Sequence, residues 1–337
     1  MTDPQGVADE LTVAPEAEGL RLDRFLALAF PDYSRSFLQR AIRDGRVLLA
    51  GKSVKPGHAL RAGDRVSVSL PVLVPERLEP EPIPLCILYE DEHMLAIDKP
   101  PDMVVHPARG AAGGTLVNAL LHHSRGRSDL TGPLRPGIVH RLDRNTSGVI
   151  LAAKTNAAHR ALADQFKDRR VHKEYLALVR GATAHDSGEI VLPIARDPRM
   201  RERMCVRRIG GRKAISRWFV EERFPRFTLL RVEPLTGRTH QIRVHLSALH
   251  HPVVADALYG GGDGLYPHEI AGRGAPGGEP IISRQALHAR RIRFDHPVTG
   301  KPMDISSPVA ADIARALDAL RLEGHASPQR RASPSVR

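Results

Sequence analysis

Several features that define common protein classes are scarce or missing in this sequence. Its two cysteines, Cys86 and Cys205, are too few for a disulfide framework and lack metal-binding spacing, which favours a reducing compartment. No apolar run approaches the roughly 20 residues of a membrane span, and the opening residues, MTDPQGVADE, lack the apolar stretch of a secretory signal. Aromatic residues make up only 4%, so aliphatic side chains must fill the core. These absences predict a cytoplasmic protein without a membrane partner.

The sequence instead has a surplus of basic side chains. Its 337 residues include 50 Lys and Arg against 38 Asp and Glu, a formal net charge of +12, and Arg dominates the basic set. Guanidinium groups bind phosphate bidentately and stack on bases, so an Arg surplus favours a nucleic-acid partner. A solubilising surface in a high-GC organism would have the same composition, so composition alone leaves both interpretations open.

Charge and proline content divide the chain into segments. Residues 1–19 carry five acidic residues and no Lys or Arg, which predicts a mobile tail. Residues 20–70 have the pattern of a small domain, and the Pro-rich residues 71–85 predict an extended linker. Residues 86–322 then form a larger domain, and the Ser-, Pro- and Arg-rich residues 323–337 predict a disordered tail.

Short apolar runs bounded by turn residues predict strands in the larger domain. These runs are MLAIDK, GVILAAK, KEYLALV and FTLLRVEP. A helix is predicted in RTHQIRVHLSALHHP, where apolar residues recur at helical spacing and Pro252 ends the run. Because the strands do not alternate with long helices, the sequence predicts an α+β fold with a mixed, largely antiparallel sheet. The Gly-rich residues 260–278 are expected to form a flexible loop without chemistry.

One segment of the smaller domain, SRSFLQRAIRDG, predicts a helix with two opposed faces. Its apolar side chains fall on one arc and its Arg and Gln side chains on the opposite arc. By itself this pattern fits an ordinary solvated helix as well as an RNA-binding one. Residues 21–68, however, resemble the S4 RNA-binding domain through RLDRFL, FPDYSRS, the IRDGRV step and AGDRVSV. That resemblance implies contacts with an RNA backbone from Arg35, Arg40, Arg43 and Lys52.

Two further stretches bear on RNA binding. The turn at Ala50 and Gly51 has Ala where Asn would make a stronger type I′ hairpin. Residues 196–213 hold eight Arg or Lys, which suggests a mobile basic hairpin that grips phosphates, with Arg203 and Arg207 among its contacts. A solvated loop is the alternative interpretation of that segment.

The segment RPGIVHRLDRNTSGVILAAKT places one carboxylate between two guanidinium groups. Asp143 lies between Arg141 and Arg144, and a carboxylate in that setting stays ionised at neutral pH. An ionised carboxylate can act as nucleophile or base, although a lone Asp beside Arg is more often a surface ion pair. The motif HRLDRNTSG, however, closely resembles the catalytic motif of the RluA family of pseudouridine synthases.

The resemblance to the RluA family extends over the whole chain outside its tails. YEDEHMLAIDKPPDMVVHP resembles the segment before the catalytic motif, KEYLALVRG the second motif, LTGRTHQIRVHLSALHHPVVADALYG the third, and RQALHARRIRFDHPVTG the last. With the S4-like domain in front, the combination is most similar to the RluD branch, which modifies large-subunit ribosomal RNA. The resemblance implies an isomerase that acts on structured RNA without a cofactor or metal. We expect a monomer.

The resemblance also implies roles for residues of the larger domain. Asp143 would attack C1′ of the target nucleotide or remove a proton from C2′, and the sequence does not choose between these routes. Tyr175 would stack on uracil, with a hydroxyl that helps to deprotonate C5, and Arg243 would hold the Asp143 carboxylate. The target base must flip out of its stack to reach such a site.

Further substrate contacts are implied by the same motifs. Arg141 would fill the gap that the flipped base leaves, because a guanidinium both stacks and donates hydrogen bonds. Arg238 is expected to contact a phosphate, and Leu287 to lie under the uracil. His140, in the catalytic motif, is a fourth candidate for substrate binding.

Three alternatives compete with this hypothesis. The first is a pseudouridine synthase for transfer RNA, and the second is a non-catalytic RNA-binding factor of ribosome assembly. The third is a metal-dependent hydrolase that uses histidines of the motifs, namely His140, His240, His245 and His288. The spacing of His240 and His245 disfavours it, because five positions do not align two ligands on one helix face.

Overall fold

The computed structural model describes residues 7–31, 33, 35–71, 78–106, 113–124, 137–272 and 277–326. The chain divides into two compact units, residues 1–76 and 77–337. Each unit has its own apolar core.

The first unit combines two helices with a three-stranded antiparallel sheet. Its elements are Val7–Thr12 (β1), Leu22–Ala29 (α1), Arg35–Arg43 (α2), Val47–Leu49 (β2) and Arg65–Leu70 (β3). The strand order is β1-β3-β2. The predicted apolar face of α2 is buried, since Leu38 and Ile42 are fully enclosed in a core that includes residues of all three strands or their ends.

Residues 7–19 correct the expectation of a mobile acidic tail. The strand β1 pairs with β3 along its whole length, which covers an otherwise open sheet edge. Val13, just after the strand, is buried in the core, whereas Asp9 and Glu10 are exposed. The acidic residues therefore mark the solvent side of an edge strand. Residues 1–6 of the predicted tail lie outside the described residues.

The second unit is built on a nine-stranded sheet with a separate two-stranded hairpin. The strands, in chain order, are Cys86–Glu90 (β4), Met94–Lys99 (β5), Ser147–Ala153 (β6), His172–Arg180 (β7), Ser187–Val191 (β8), Ile194–Arg196 (β9), Met204–Val206 (β10), Ile215–Arg223 (β11), Phe227–Pro234 (β12), Leu287–Asp295 (β13) and Pro302–Ser306 (β14). The order in the large sheet is β4-β5-β6-β13-β7-β12-β11-β8, with β14 beside β13, and the hairpin pairs β9 with β10. Among the described strands only β6 and β13 pair in parallel, which confirms the predicted mixed, largely antiparallel α+β fold.

Five helices accompany the sheet in the described part of this unit. They are Leu116–His123 (α3), Asn156–Lys167 (α4), Gln241–Ala248 (α5), Pro267–Ala271 (α6) and Ala311–Ala326 (α7). The helix predicted in RTHQIRVHLSALHHP is α5, and the four predicted strands are β5, β6, β7 and β12. In the described ranges, no helix is both long and apolar enough to cross a membrane.

Three predicted loop or linker segments are more ordered than expected. Residues 78–85 are extended, as their prolines predict, but their apolar side chains join the core of the second unit, and 72–77 lie outside the described residues. Residues 260–278 contain α6, whose Glu269 pairs with Arg180, so an ion pair holds a helix where a loop was expected. Residues 323–326 of the predicted C-terminal tail belong to α7, and residues 327–337 lie outside the described residues.

The parallel pairing of β6 with β13 brings the beginnings of both strands together. His288 lies opposite Ser147, and Ala289 lies opposite Gly148. Gly148 has a φ of 110°, and a Cβ atom there would lie 2.2 Å from the carbonyl oxygen of Ala289. The last residue of HRLDRNTSG must therefore be glycine for the strands to meet. Their junction places Leu287 near the segment that carries the motif carboxylate.

Candidate active site

A cavity of about 620 Å³ opens in the second unit. Its walls come from the HRLD segment, from β7, from the turn after β12 and from the beginning of α5. All seven residues predicted for catalysis or substrate binding line it: His140, Arg141, Asp143, Tyr175, Arg238, Arg243 and Leu287. The structure thus brings together residues that are up to 147 positions apart in the sequence (287 minus 140).

The Asp143 carboxylate has one engaged oxygen and one free oxygen. Its Oδ2 accepts a hydrogen bond from Arg243 Nη1 at 3.0 Å. Its Oδ1 has no hydrogen-bond partner among the described residues. The side chain keeps 19% of its surface exposed, within the cavity wall. An ionised carboxylate with a free oxygen can attack an electrophilic carbon or accept a proton.

Arg243 is held by a second carboxylate. Its Nε and Nη2 donate to the two oxygens of Asp256 at 2.7 and 2.8 Å, and Asp256 is almost completely buried. Burial by itself would lower the pKa of Arg243, but the bonds to Asp256 and Asp143 outweigh it and raise the pKa above its usual value. Asp256 lies in the third motif, but nothing in the sequence indicates that it pairs with Arg243. It fixes the guanidinium so that Nη1 faces Asp143.

Lys99 holds the backbone of the motif HRLDRNTSG from the protein interior. Its ammonium is fully buried and donates to three carbonyl oxygens, those of Pro100, Met103 and Arg144, at 2.6, 3.0 and 3.0 Å. Burial lowers the pKa of Lys99 to about 7. The bond to the Arg144 carbonyl reaches the residue directly after Asp143, so Lys99 fixes the backbone that presents the carboxylate.

Tyr175 and His140 contribute to the cavity walls in different ways. Burial, and next the charge of Asp143, raise the pKa of Tyr175, so its hydroxyl stays protonated. His140 Nε2 accepts the N–H of Leu151 at 2.8 Å, and its ring stacks on Phe166. Burial lowers the pKa of His140 to about 3, so the imidazole is neutral. One ring nitrogen and one ring face of His140 are therefore used in contacts within the fold, with Leu151 and Phe166.

Three guanidinium groups at the cavity form what we call the cationic rim: Arg169, Arg212 and Arg238. Burial lowers the pKa of Arg238, and the charges of the other two lower it further. No carboxylate pairs with any of the three within the described part of the chain. The sequence pointed to Arg238 as a phosphate contact and to Arg212 as part of the basic hairpin, but not to Arg169. Like charges brought together without acidic partners are a suitable binding site for phosphate.

The predicted RNA contacts of the basic hairpin separate into two kinds. Arg207 is exposed, as expected. Arg203 instead turns inward, with its guanidinium 5.5 Å from the ring centre of Tyr259 and a buried Nε that has no partner in the described chain. The structure therefore gives Arg203 a packing position in place of the expected surface position.

Of the four predicted RNA contacts in the first unit, three are exposed and one is held in an ion pair. Arg40, Arg43 and Lys52 are exposed. Arg35 donates from Nε and Nη2 to Asp23, at 3.2 and 2.9 Å, so its guanidinium is already bound. The charged face of α2 is thus free at its C-terminal half, and its first Arg belongs to an internal ion pair.

The histidines considered as metal ligands have other partners. His245 bonds to Ser216 Oγ and to the Leu192 carbonyl, and His288 bonds to Ser147 Oγ. No group of three or more His, Cys, Asp or Glu among the described residues could hold a metal ion.

Known proteins resemble this chain over most of its length. Residues 93–248 match the RNA pseudouridylate synthase family model, and residues 20–66 match the S4 domain model. The chain is 40% identical over 317 residues to the uncharacterized RNA pseudouridine synthase YlyB of Bacillus subtilis, which covers 94% of this chain and 99% of that relative. It is 43% identical over 320 residues to ribosomal large subunit pseudouridine synthase D of Xanthomonas campestris pv. campestris. That match covers 93% of this chain and 92% of the relative. The solved structure of human RNA pseudouridylate synthase domain containing 1 matches with a TM-score of 0.51 and 29% identity, over 71% of this chain and 95% of that one.

Proposed function

The chain belongs to the RNA pseudouridylate synthase family, and on that premise we propose that it isomerises uridines of large-subunit ribosomal RNA with Asp143 as the catalytic carboxylate. The observation that carries the proposal is the cavity in which Arg243 holds one oxygen of Asp143 and leaves the other free. The choice of RNA is supported by the S4 domain and by the large-subunit synthase from Xanthomonas campestris, which is similar over nearly the whole chain.

The reaction requires few catalytic groups. The N1–C1′ bond breaks, uracil turns, a C5–C1′ bond forms, C5 loses a proton and N1 gains one, so the product is an isomer. A hydrolysing glycosidase needs a second carboxylate to activate water, but here the leaving base is also the returning nucleophile. Asp143 Oδ1 can attack C1′, or it can take a C2′ proton to give a glycal. Both routes need a carboxylate held in a fixed orientation, and the hydrogen bond from Arg243 to Oδ2 provides that orientation.

Tyr175 and Leu287 suit the two faces of the uracil ring. Both side chains line the cavity that contains Asp143. Because burial raises the pKa of the Tyr175 hydroxyl, the group starts the reaction protonated and is a weak base toward C5. The structure therefore favours stacking and hydrogen-bond donation by Tyr175 over direct deprotonation of C5.

The Arg residues of the site are suited to bind RNA from which the target base has flipped out. Arg141 is exposed beside the cavity and has no partner among the described residues, so its guanidinium can enter the gap that the uridine leaves. The unstacking costs a few kcal/mol. Phosphate contacts of the cationic rim would offset that cost.

Tritium release from RNA labelled at uracil C5 tests the proposal. Large-subunit ribosomal RNA from cells that lack the enzyme and bulk transfer RNA would be compared, each with wild-type protein and with Asp143→Asn. Release from ribosomal RNA by wild type alone is the expected result. Preferential release from transfer RNA would assign the alternative substrate class. Tight binding without release from either RNA would favour a non-catalytic assembly factor.

A further inference from the structure

Two side chains beyond Arg243 connect to Asp143, and the reaction described so far does not use them. His240 Nε2 lies 3.9 Å from Asp143 Oδ2. His240 Nδ1 lies 2.8 Å from the hydroxyl oxygen of Tyr259. That oxygen also accepts the backbone N–H of Met204, in β10, at 2.8 Å. The basic hairpin, Tyr259 and His240 thus form a continuous series of contacts that ends at the carboxylate.

The hydrogen bonds determine where the imidazole proton lies. A backbone N–H can only donate, so Met204 occupies an acceptor position on the Tyr259 oxygen. No other acceptor for the Tyr259 proton is found among the described residues, so that proton goes to His240 Nδ1. The proton of a neutral His240 must then be on Nε2, the nitrogen that faces Asp143. Burial lowers the pKa of His240 and raises that of Tyr259 to about 12, which keeps both groups neutral at pH 7.

The backbone of His240 is strained into the position that aims its ring. It precedes α5 with φ 55° and ψ 20°, in the left-handed region. A non-glycine residue in that region is strained and persists only where surrounding contacts hold it. The Tyr259 ring supplies such contacts, because it meets the His240 ring edge-on at 5.7 Å and lies 4.9 Å from the guanidinium carbon of Arg243.

We propose that His240 is a positioning residue, a neutral imidazole whose Nε2–H secures Asp143 Oδ2, and that Tyr259 fixes its tautomer. The inference rests on the proposed role of Asp143. His240 and Arg243 address the same oxygen, so Oδ1 is the oxygen left for the substrate. At 3.9 Å the His240 contact is longer than a hydrogen bond. Contacts of this kind often tighten only when substrate is bound.

A double-mutant cycle in single-turnover tritium release, at saturating enzyme, tests the proposal. Tyr259→Phe removes the hydroxyl and keeps the ring. His240→Gln keeps an N–H donor near the position of Nε2 but has no tautomer to fix. In the wild-type background, we expect Tyr259→Phe to lower the single-turnover rate about 5- to 10-fold, which corresponds to the loss of one neutral hydrogen bond. In the His240→Gln background, the same change should lower the rate by less than about 2-fold. Equal effects in both backgrounds, or no effect in wild type, would overturn it.

Two further measurements separate positioning from general damage. Tyr33→Phe is the matched control, because it removes a buried hydroxyl that donates to the Pro71 carbonyl in the first unit, and it should leave the single-turnover rate unchanged. Nitrogen NMR of histidine-labelled protein reports ring tautomers, with His240 assigned by its loss in His240→Gln. A neutral Nε2–H ring is expected at pH 7.5, and an Nδ1–H or doubly protonated ring would overturn the proposal. This readout needs no RNA, so it decides the tautomer even where the proposed reaction fails.

Discussion

Asp23 of the first unit and Asp143 of the second are both carboxylates among guanidinium groups, but their environments differ. Asp23 is fully buried, and both of its oxygens accept hydrogen bonds, from Arg21, Arg35 and Gln39. Asp143 is partly exposed in a cavity and has a single firm partner, Arg243, on one oxygen. The same pairing of charges therefore binds both carboxylate oxygens in one unit and leaves one oxygen free in the other.

The difference shows what to look for in a carboxylate flanked by Arg. When the group is buried and both oxygens are bound by side chains, as in Asp23, it can only stabilise the fold. When the partner is itself fixed, as Asp256 fixes Arg243, one oxygen can stay free without the side chain losing its orientation. Preorganisation of this kind is what a catalytic group requires.

The largest effect among these variants is expected for Arg243→Lys, which should disrupt the hydrogen bonds that hold Asp143. A Lys ammonium cannot keep two bonds to Asp256 and one to Asp143 in a planar fork. We expect the single-turnover rate to fall by about 100-fold, as for loss of one charge-assisted hydrogen bond and its geometry. Arg35→Lys is the matched change beside Asp23, and it should leave that rate unchanged. A comparable fall in both variants would mean that general stability, not Asp143, was measured.

Asp23→Asn should weaken the first unit alone, by about 1–3 kcal/mol, because charge-assisted bonds are lost. Hydrogen exchange of α2 amides in the full chain measures that loss, while fluorescence of the single tryptophan, Trp218 in the second unit, serves as the control. Unchanged α2 exchange would show that the Asp23 network contributes little.

The same network predicts a pH dependence for the first unit. Hydrogen bonds from Arg21, which contribute most, and from Gln39 and Arg35 hold the pKa of Asp23 well below its usual range. A lowered folded pKa means that the stabilisation is present above the unfolded pKa of about 3.9 and is lost as the pH falls toward the folded pKa. Protection of α2 should therefore decline below about pH 4 in wild type, and this decline should be absent in Asp23→Asn.

Removal of two of the three guanidinium groups of the cationic rim should weaken RNA binding without changing either carboxylate. Arg169→Gln with Arg212→Gln should lower affinity about 10-fold and reduce the slope of log affinity against log salt by about 1.5 to 2. Arg315→Gln, an exposed Arg on α7, is the matched control. An unchanged salt slope would show that the rim does not contact phosphate.

The smallest effect is expected at the turn after β2. Ala50 and Gly51 both have positive φ, 46° and 74°, which is the type I′ geometry expected from the sequence. Asn tolerates this region better than Ala, so Ala50→Asn should stabilise the first unit by about 0.5–1 kcal/mol. Hydrogen exchange of α2 reports it, and tritium release at saturating enzyme should not change. Faster exchange would contradict the strain assigned to Ala50.

The sequence predicted the parts of the site that lie in motifs. Asp143, Tyr175, Arg243 and Leu287 each belong to a segment that resembles the RluA family, and all four line one cavity. The nine-stranded sheet, with its parallel junction of β6 and β13, explains why motifs distant in sequence meet there.

The remaining residues could not be predicted because their roles depend on which loops meet. Asp256 and Tyr259 lie at the end of the third motif, but only the packed structure places one against Arg243 and the other against His240. Helical periodicity grouped Arg35 with the RNA-binding face of α2, whereas a buried acid from α1 captures it. Local patterns define the faces of an element, and tertiary contacts decide how each face is used.

The most direct test of this account compares Asp143→Asn with Asp23→Asn in single-turnover tritium release from large-subunit ribosomal RNA. Asp143→Asn is expected to reduce the rate at least about 1,000-fold. Asp23→Asn, at saturating enzyme and at a temperature at which both units are folded, should stay within about 2-fold of wild type. A rate for Asp143→Asn close to that of wild type would contradict the assignment of the catalytic carboxylate. Equal losses in the two variants would contradict the distinction between a saturated carboxylate and a free one.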